Sequence, residues 1–554
     1  MFYVQHRIGA QSNVLISAHY APTTTRSGRL SKEAVYYALR SVIEAYPELS
    51  LIGVPKASDN GKKHLLVLAA LHEIDLETCV EFLDDHEPAS GPEILEKLHN
   101  EWLWTDETFN PRNPWWKIVV LGRQEVAFVF HHIVCDGRFG HFFHRKFLEA
   151  INSFDQDQKP VERIVKIDPE RVRLSKETEQ FWVSKLSALR MAHIFFMFLL
   201  IRLFFGSRLL FSDLPKVKPY ANSFLIEAEP HQRTKTRIAS VRITAAKMRQ
   251  IISACREQKA SFTPLLLAMI CCTLAIDHYP EAKIGISNCA LDARSLYPEN
   301  TDAAGKLLQC AAGVRKVTWL SKYRRVFGPR PLKPGKTHVD VEGAWDLVRE
   351  YRESLQKPFQ GAQPQILTVF KASNGVSEDL EGLLTSTLPA VGLHLNNSFQ
   401  VSNLGSFSTS EEKEGLWKID GMNFSASTVN GTISYSICIN VAVASKNSST
   451  ITNMTSQSST HNQGKVLKQN DNVDAEQLAT LSEGKVADAV KKTTGRDKPR
   501  KDDIEIEDYT SNLERKRAEQ AEAREDIKAQ RRAGVDVDGS LGQGRLRNED
   551  NSDV

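Results

Sequence analysis

The seven residues His131-His132-Ile133-Val134-Cys135-Asp136-Gly137 constrain this chain more than any other stretch. They close the apolar run Val126-Ala127-Phe128-Val129-Phe130, which reads as a buried strand. An Asp-Gly step then turns the chain. Beyond it, Phe139, Phe143 and Phe147 recur at four-residue spacing with Phe142 beside them, so Arg138 to Ser153 reads as a helix with one apolar face. A strand, a short turn and a helix follow in order, and the turn presents imidazole at a strand end. Imidazole titrates near neutrality, so a general base placed here can reach a substrate. The same residues also suit a plainer use, a hydrogen-bonded core histidine beside an ordinary turn. The local pattern leaves both readings open.

Segments on either side add to the motif. Ala38-Leu39 through Tyr46-Pro47-Glu48-Leu49-Ser50 is a helix running into a Tyr-Pro-x-Leu strand entry. Leu98-His99-Asn100-Glu101-Trp102 follows, then Asn113-Pro114-Trp115-Trp116-Lys117-Ile118-Val119-Val120. Gly140 and Phe143-His144 come after the motif, and the C-terminal half supplies Asn288 to Arg294, Ala344-Trp345 and Val401-Ser402-Asn403-Leu404-Gly405. In this order, over residues 1–445, the chain resembles the CoA-dependent acyltransferase superfamily. That superfamily includes chloramphenicol acetyltransferase, the plant acyltransferases and peptide-synthetase condensation domains. The best resemblance within it is to the fungal alcohol acetyltransferase family.

The resemblance implies an α/β fold of two chloramphenicol-acetyltransferase-like domains, each a mixed β-sheet with helices, with an active-site channel between them. Residues 1–165 would form the N-terminal domain with the motif, 166–235 a crossover with an apolar helix, and 236–446 the C-terminal domain. His132 matches the family's catalytic histidine. It would take a proton from an acceptor hydroxyl or amine as that atom attacks a thioester carbonyl, then return it to the CoA thiolate. No acyl-enzyme is needed, so Cys135 is not expected to be a nucleophile. The resemblance pairs Asp136 with Arg294 away from the substrate, and a buried pair of that kind would fix the loop. Gly137 is expected to permit the turn and His131 to support it. Ser402 and Asn403 are candidates for contact with an oxyanion or CoA, although Ser-Asn-x-Gly is equally good turn chemistry. One departure stands out. The family commonly has a small residue two positions after the motif glycine, and here it is Phe139, a ring expected to narrow the channel or alter acceptor choice.

The implied reaction is acetyl transfer from acetyl-CoA, a co-substrate rather than a bound cofactor, to a small alcohol of secondary metabolism. Two alternatives stay open: a condensation-like catalyst that makes an ester or amide from a carrier-bound acyl group, and a non-catalytic member that binds a ligand. No carrier domain is recognisable, which argues against the first. Intact His132, Asp136 and Gly137 argue against the second.

Composition sets the remaining bounds. At 554 residues the chain exceeds one ordinary domain, and a formal charge of +3 carries no nucleic-acid footprint. Eight cysteines lie scattered without metal-ligand spacing and read as reduced, buried thiols. Met1 to Ser17 lacks a signal-peptide layout, so a cytoplasmic monomer is expected. The apolar stretch at 191–205 contains Arg202 and falls short of the roughly 20 apolar residues of a membrane span. It reads as a buried or crossover helix lining an apolar channel, as an ordinary core helix or, the favoured reading, as an interfacial helix. The last would rest the protein on an endoplasmic-reticulum or lipid-droplet surface, with Arg190, Arg202 and Arg208 at the headgroups. Leu65 to Leu71 is expected as a buried strand, Thr263 as a helix cap, and residues 320–340, basic and Gly/Pro-rich, as a loop. After Lys446 the chain turns polar and then charged. Residues 447–554 are expected to be a disordered tail, with a solvated helix near Leu513 to Arg532 and no strand or last helix after Val443. The abruptness of the change points to a tail foreign to the enzyme domain, through a misread splice junction or a fused neighbour.

Overall fold

A computed structural model of this chain describes residues 2–23, 28–57, 64–84, 92–155, 161–173, 188–212, 227–294, 308–327, 340–357, 398–407, 415–427, 437–445 and 448–452. Its first half runs α1 (Phe2–Arg7), β1 (Val14–Pro22), α2 (Lys32–Ala45), β2 (Leu51–Ala57), β3 (His64–Ala70), β4 (Glu73–Asp75), α3 (Leu76–Cys79), β5 (Val80–Leu83), α4 (Pro92–Asn100), β6 (Trp116–Leu121), β7 (Glu125–Phe130), α5 (Gly137–Ser153) and β8 (Ile164–Lys166). Helix α6 (Ala188–Phe205) leads to the second half: β9 (Ser240–Ile243), α7 (Ala245–Glu257), α8 (Phe262–Thr273), β10 (Ile284–Asp292), β11 (Ala311–Trp319), α9 (Leu320–Phe327), α10 (Val341–Gln356), β12 (Ser398–Ser406), β13 (Trp417–Ala426), β14 (Ile437–Ser445) and β15 (Ser448–Thr452).

Two sheets organise these elements. The first has the strand order β13-β1-β7-β6-β5 and the second β11-β10-β12-β14-β15-β9. Strand β7 is buried along its whole length because both faces of its sheet are covered. Phe128 and Phe130 face Phe139, Phe143 and Phe147 of α5, while Ala127 and Val129 pack with Leu15, Val119 and Leu95 and Leu98 of α4. Phe128 and Phe143 stack with centroids 4.2 Å apart and planes 1° apart. Helix α5 can lie this close to the sheet because residue 140 is glycine. A Cβ there would sit 2.0 Å from Cδ1 of Ile16 on β1. In the second sheet, Cys289, Leu291, Phe399, Val401, Ile439 and Val441 pack on Leu267 and Cys271 of α8 and Leu347 and Tyr351 of α10. Alternation puts Asn288, Ser402 and Asn440 on the opposite face. Ser402 stands in register between Ala290 and Asn440.

The halves of the sequence do not map one-to-one onto the sheets. Strand β13 comes from the C-terminal part yet pairs antiparallel with β1, Val14 opposite Ala426, at the edge of the first sheet. Strand β7 flanks β1 on its other side, with Val14 opposite Phe130.

Several local expectations need correction. Residues 64–70 do form a strand, but β2 and β3 make a sheet of their own that leaves Val54 and Val67 exposed. Helix α8 starts at Phe262 with Ser261 at the cap position, so Thr263 lies inside its first turn. Residues 320–327, expected as loop, are helix α9. Leu320, Tyr323 and Val326 recur at three-residue spacing on its buried face. The basic residues that suggested a loop include Arg324, whose Nε donates to the Ala275 carbonyl at 2.9 Å. A strand also follows Val443. Ser448-Ser449-Thr450-Ile451-Thr452 is β15, which joins β14 to β9 in the second sheet. Its backbone ladder and β-branched residues outweigh the polar composition that had placed it in the tail. Residues 453–554, with the expected helix near 513–532, lie outside the described residues.

Candidate active site

The motif is a tight turn that joins β7 to the buried start of α5. His131 N–H donates to the Trp115 carbonyl at 3.0 Å, and Val134 N–H to the His131 carbonyl at 3.0 Å. These bonds send the two histidines in different directions. His131 turns into the protein and is buried against Trp115, His6 and Trp104, with ring centroids 4.7, 4.8 and 5.9 Å away. The Ile133 N–H donates to its Nδ1 at 3.0 Å, so that nitrogen carries no proton. Burial, and after it the neighbouring His6, hold His131 well below the ordinary histidine value, and it stays neutral.

His132 is half-buried, and its Nδ1 lies 3.1 Å from the Cys135 carbonyl oxygen. A carbonyl only accepts, so Nδ1 carries the proton and Nε2 carries the lone pair. One face of the ring is covered by Phe2, whose centroid is 3.8 Å away with the planes 14° apart. Burial lowers the His132 pKa, with Asp136 and the Cys135 carbonyl acting in the other direction. The ring is therefore neutral at physiological pH.

Asp136 is fixed on every side. Its Oδ1 accepts the Phe139 N–H at 2.9 Å, capping α5, and its Oδ2 accepts the Cys310 N–H at 2.6 Å. Arg294 Nη2 lies 3.0 Å from both oxygens. The Asp136 N–H donates to the Leu308 carbonyl at 2.9 Å. Three donor groups make four contacts with the carboxylate, so its lone pairs are taken up within the protein rather than offered to a substrate. The expected Asp136–Arg294 pair is thus present and buried, and it links the motif to the end of β10. Burial pulls the Arg294 guanidinium down, but the charges of Asp136 and Asp292 outweigh it and hold it above its ordinary value.

Residues that the sequence reading passed over complete the clamp. Asp292 accepts from Arg294 Nη1 at 2.9 Å, and Arg138 donates to the Leu404 carbonyl at 2.7 Å and stands 3.8 Å from Asp292. Asp292, two residues before Arg294, was legible as an ion-pair partner. Phe2 gave no signal at all. Gly137 has a reason other than turning the chain, since a Cβ there would meet Leu404 and Phe424 at 2.9 Å. Its role is close approach of α5 to β12 and β13. Phe139 is fully buried against Tyr46 and Phe128, so the bulk of the ring fills the core rather than a channel. Asn403 donates to Thr263 Oγ1 at 2.9 Å and accepts the Gly405 N–H at 2.9 Å. That makes it an anchor of the irregularity in β12 at Gly405, where the register to β14 shifts and φ is 73°. Ser402 lies buried on the strand beside it. Among the described residues no cluster of His, Cys, Asp and Glu has the geometry to hold a metal ion.

The solved structure of TRI3, a trichothecene 15-O-acetyltransferase from Fusarium sporotrichioides, matches this fold with a TM-score of 0.55 at 14% identity, over 81% of this chain and 88% of that one. The two share a fold of two mixed sheets with helices, the chloramphenicol-acetyltransferase-like fold. The sequence pattern of the alcohol acetyltransferase family matches residues 93–468, a span that holds the motif, Arg294, Ser402 and β15. The chain belongs to the alcohol acetyltransferase family. The probable alcohol acetyltransferase crmB of Aspergillus fumigatus is 26% identical over 295 residues, which is 50% of this chain and 56% of crmB. The match spans little more than half the length of that curated relative.

Removing one member of the clamp strands the other. Arg294→Gln is expected to cost about 3–5 kcal/mol of unfolding free energy, because Asp136 stays buried without its counter-charge. Urea denaturation at unchanged slope measures this, and a loss below about 1 kcal/mol would contradict the role given to the pair.

Proposed function

We propose that this protein is an acyl-CoA-dependent O-acyltransferase that moves an acetyl group from acetyl-CoA to a small alcohol, acting as a monomer with His132 as general base. The observation that carries this reading is the hydrogen bond from His132 Nδ1 to the Cys135 carbonyl, which leaves the Nε2 lone pair as the base. Nε2 takes the acceptor's hydroxyl proton as its oxygen bonds to the thioester carbonyl carbon. The tetrahedral intermediate then expels the CoA thiolate, which takes the proton back from Nε2. Ser402 is the candidate donor to the oxyanion. Asn403, whose amide anchors the irregularity in β12 at Gly405, supports its position. We place the acceptor among secondary-metabolite alcohols. The family and its relative TRI3, named for acetylating a trichothecene, support that class.

Helix α6 supports a lipid surface as a further partner. Leu189, Phe196, Met197, Leu203 and Phe204 are 82, 55, 43, 69 and 72% exposed, an apolar display that a core helix would bury. Residues 181–212 carry Lys185, Arg190, Arg202 and Arg208 and no Asp or Glu. No single described helix is long and apolar enough to cross a membrane. We propose that residues 191–205 rest the enzyme on an endoplasmic-reticulum or lipid-droplet surface from the cytoplasmic side. In flotation with phosphatidylserine vesicles, Phe196→Glu with Phe204→Glu should lower the bound fraction at least tenfold. Equal flotation of the variant and the parent would contradict the contact.

The base predicts its own pH profile. His132 must be neutral to act and its pKa is lowered, so kcat/KM should hold as pH falls past 6.5 and drop only as pH passes below the lowered His132 pKa. His132→Ala should reduce acceptor-dependent CoA release by about 10²–10⁴-fold. A folded His132→Ala variant with full activity would refute the assignment.

A further inference from the structure

Phe2 lies flat on His132, with ring centroids 3.8 Å apart and planes 14° apart. The contact is built rather than incidental, because helix α1 turns three side chains toward the motif region. Besides Phe2 on His132, Tyr3 stacks on Trp115 with centroids 6.0 Å apart and planes 14° apart, and the His6 ring lies 4.8 Å from His131. The helix is held from behind. Arg7 pairs with Asp106 and, at 3.3 Å, with Glu227, and its carbonyl accepts the Ala228 N–H at 2.9 Å. The His132 ring thus has two independent constraints. The Cys135 carbonyl fixes its tautomer, and the Phe2 face fixes its plane.

We propose that Phe2 is a positioning residue for His132, whose ring sets the plane in which Nε2 meets the acceptor and favours the imidazolium formed when Nε2 takes the proton. The inference rests on His132 being the base. An aromatic face carries a negative quadrupole and attracts a cation lying over it within about 6 Å, while a neutral imidazole gains far less. The imidazole gains its charge during proton transfer, so the attraction grows along the reaction coordinate. The other ionisable groups around the ring are fixed. Asp136 is clamped by Arg294, His131 is buried and neutral, and on α1 burial holds His6 down to about 3 while Arg7 is engaged with Asp106 and Glu227. The Phe2 ring is therefore a separable contribution.

The test uses the full chain with Phe2→Leu, which keeps apolar bulk, and Phe2→Tyr, which keeps the aromatic face. His132 is titrated by NMR, and kcat and KM are measured for acetyl-CoA and an accepted alcohol. In Phe2→Leu the His132 pKa should fall by about half a unit and kcat by about 3- to 10-fold, with KM for acetyl-CoA unchanged within twofold. Phe2→Tyr should restore both. An unchanged titration and kcat in Phe2→Leu would overturn the proposal, as would a Phe2→Tyr variant that behaves like Phe2→Leu. The titration reports on the ring whether or not His132 is the base. A His132→Ala variant run in parallel shows separately whether the general-base reading stands.

Discussion

The site depends on one buried ion pair. Asp136 ends the turn that starts helix α5, and Arg294 lies two residues past the end of strand β10 of the other sheet. Their contact at 3.0 Å ties the two sheets together beside His132. A buried pair of this kind adds little stability in itself, because desolvation offsets most of the attraction. What it contributes is geometry. With its oxygens held by Arg294, the Phe139 N–H and the Cys310 N–H, the carboxylate has one position, and so does the turn carrying His132.

The histidines of the motif show how neighbouring residues acquire different duties. His131 and His132 are adjacent, yet one points into an aromatic box and the other toward a half-open edge. His131 gives up a lone pair to a backbone N–H and stays neutral in the core. His132 donates its Nδ1 hydrogen to a backbone carbonyl, which leaves the lone pair on its outer nitrogen. The strand before them is buried on both faces, and α5 approaches it closely through Gly140. The turn can therefore be rigid without strain in the motif itself.

Much of this was legible in the sequence, for identifiable reasons. Phenylalanine at four-residue spacing marked α5, and the unbroken apolar run marked β7 as a strand. The pair of Asp136 with Arg294 came from the family resemblance, since nothing local to either residue names the other. Contacts set by chain path were out of reach. No pattern in β13 says that it leaves its own half to flank β1, and no pattern in Phe2 says that it will lie on a residue 130 positions away. Phe139 misled because bulk was read as steric obstruction, whereas Tyr46 and Phe128 had made a core site for it. Helix α9 and strand β15 were hidden by composition. Basic residues interspersed among the apolar ones masked a buried stripe in the first, and serine and threonine masked a ladder in the second.

The most direct test of the account is a double-mutant cycle on kcat/KM for acetyl transfer, with Asp136→Asn, Arg294→Gln and the two combined. If the pair acts as one clamp on the His132 turn, each single variant loses activity and the combination is no worse than the poorer single. Losses that multiply would show that the two residues act independently, and that the turn is held by something else.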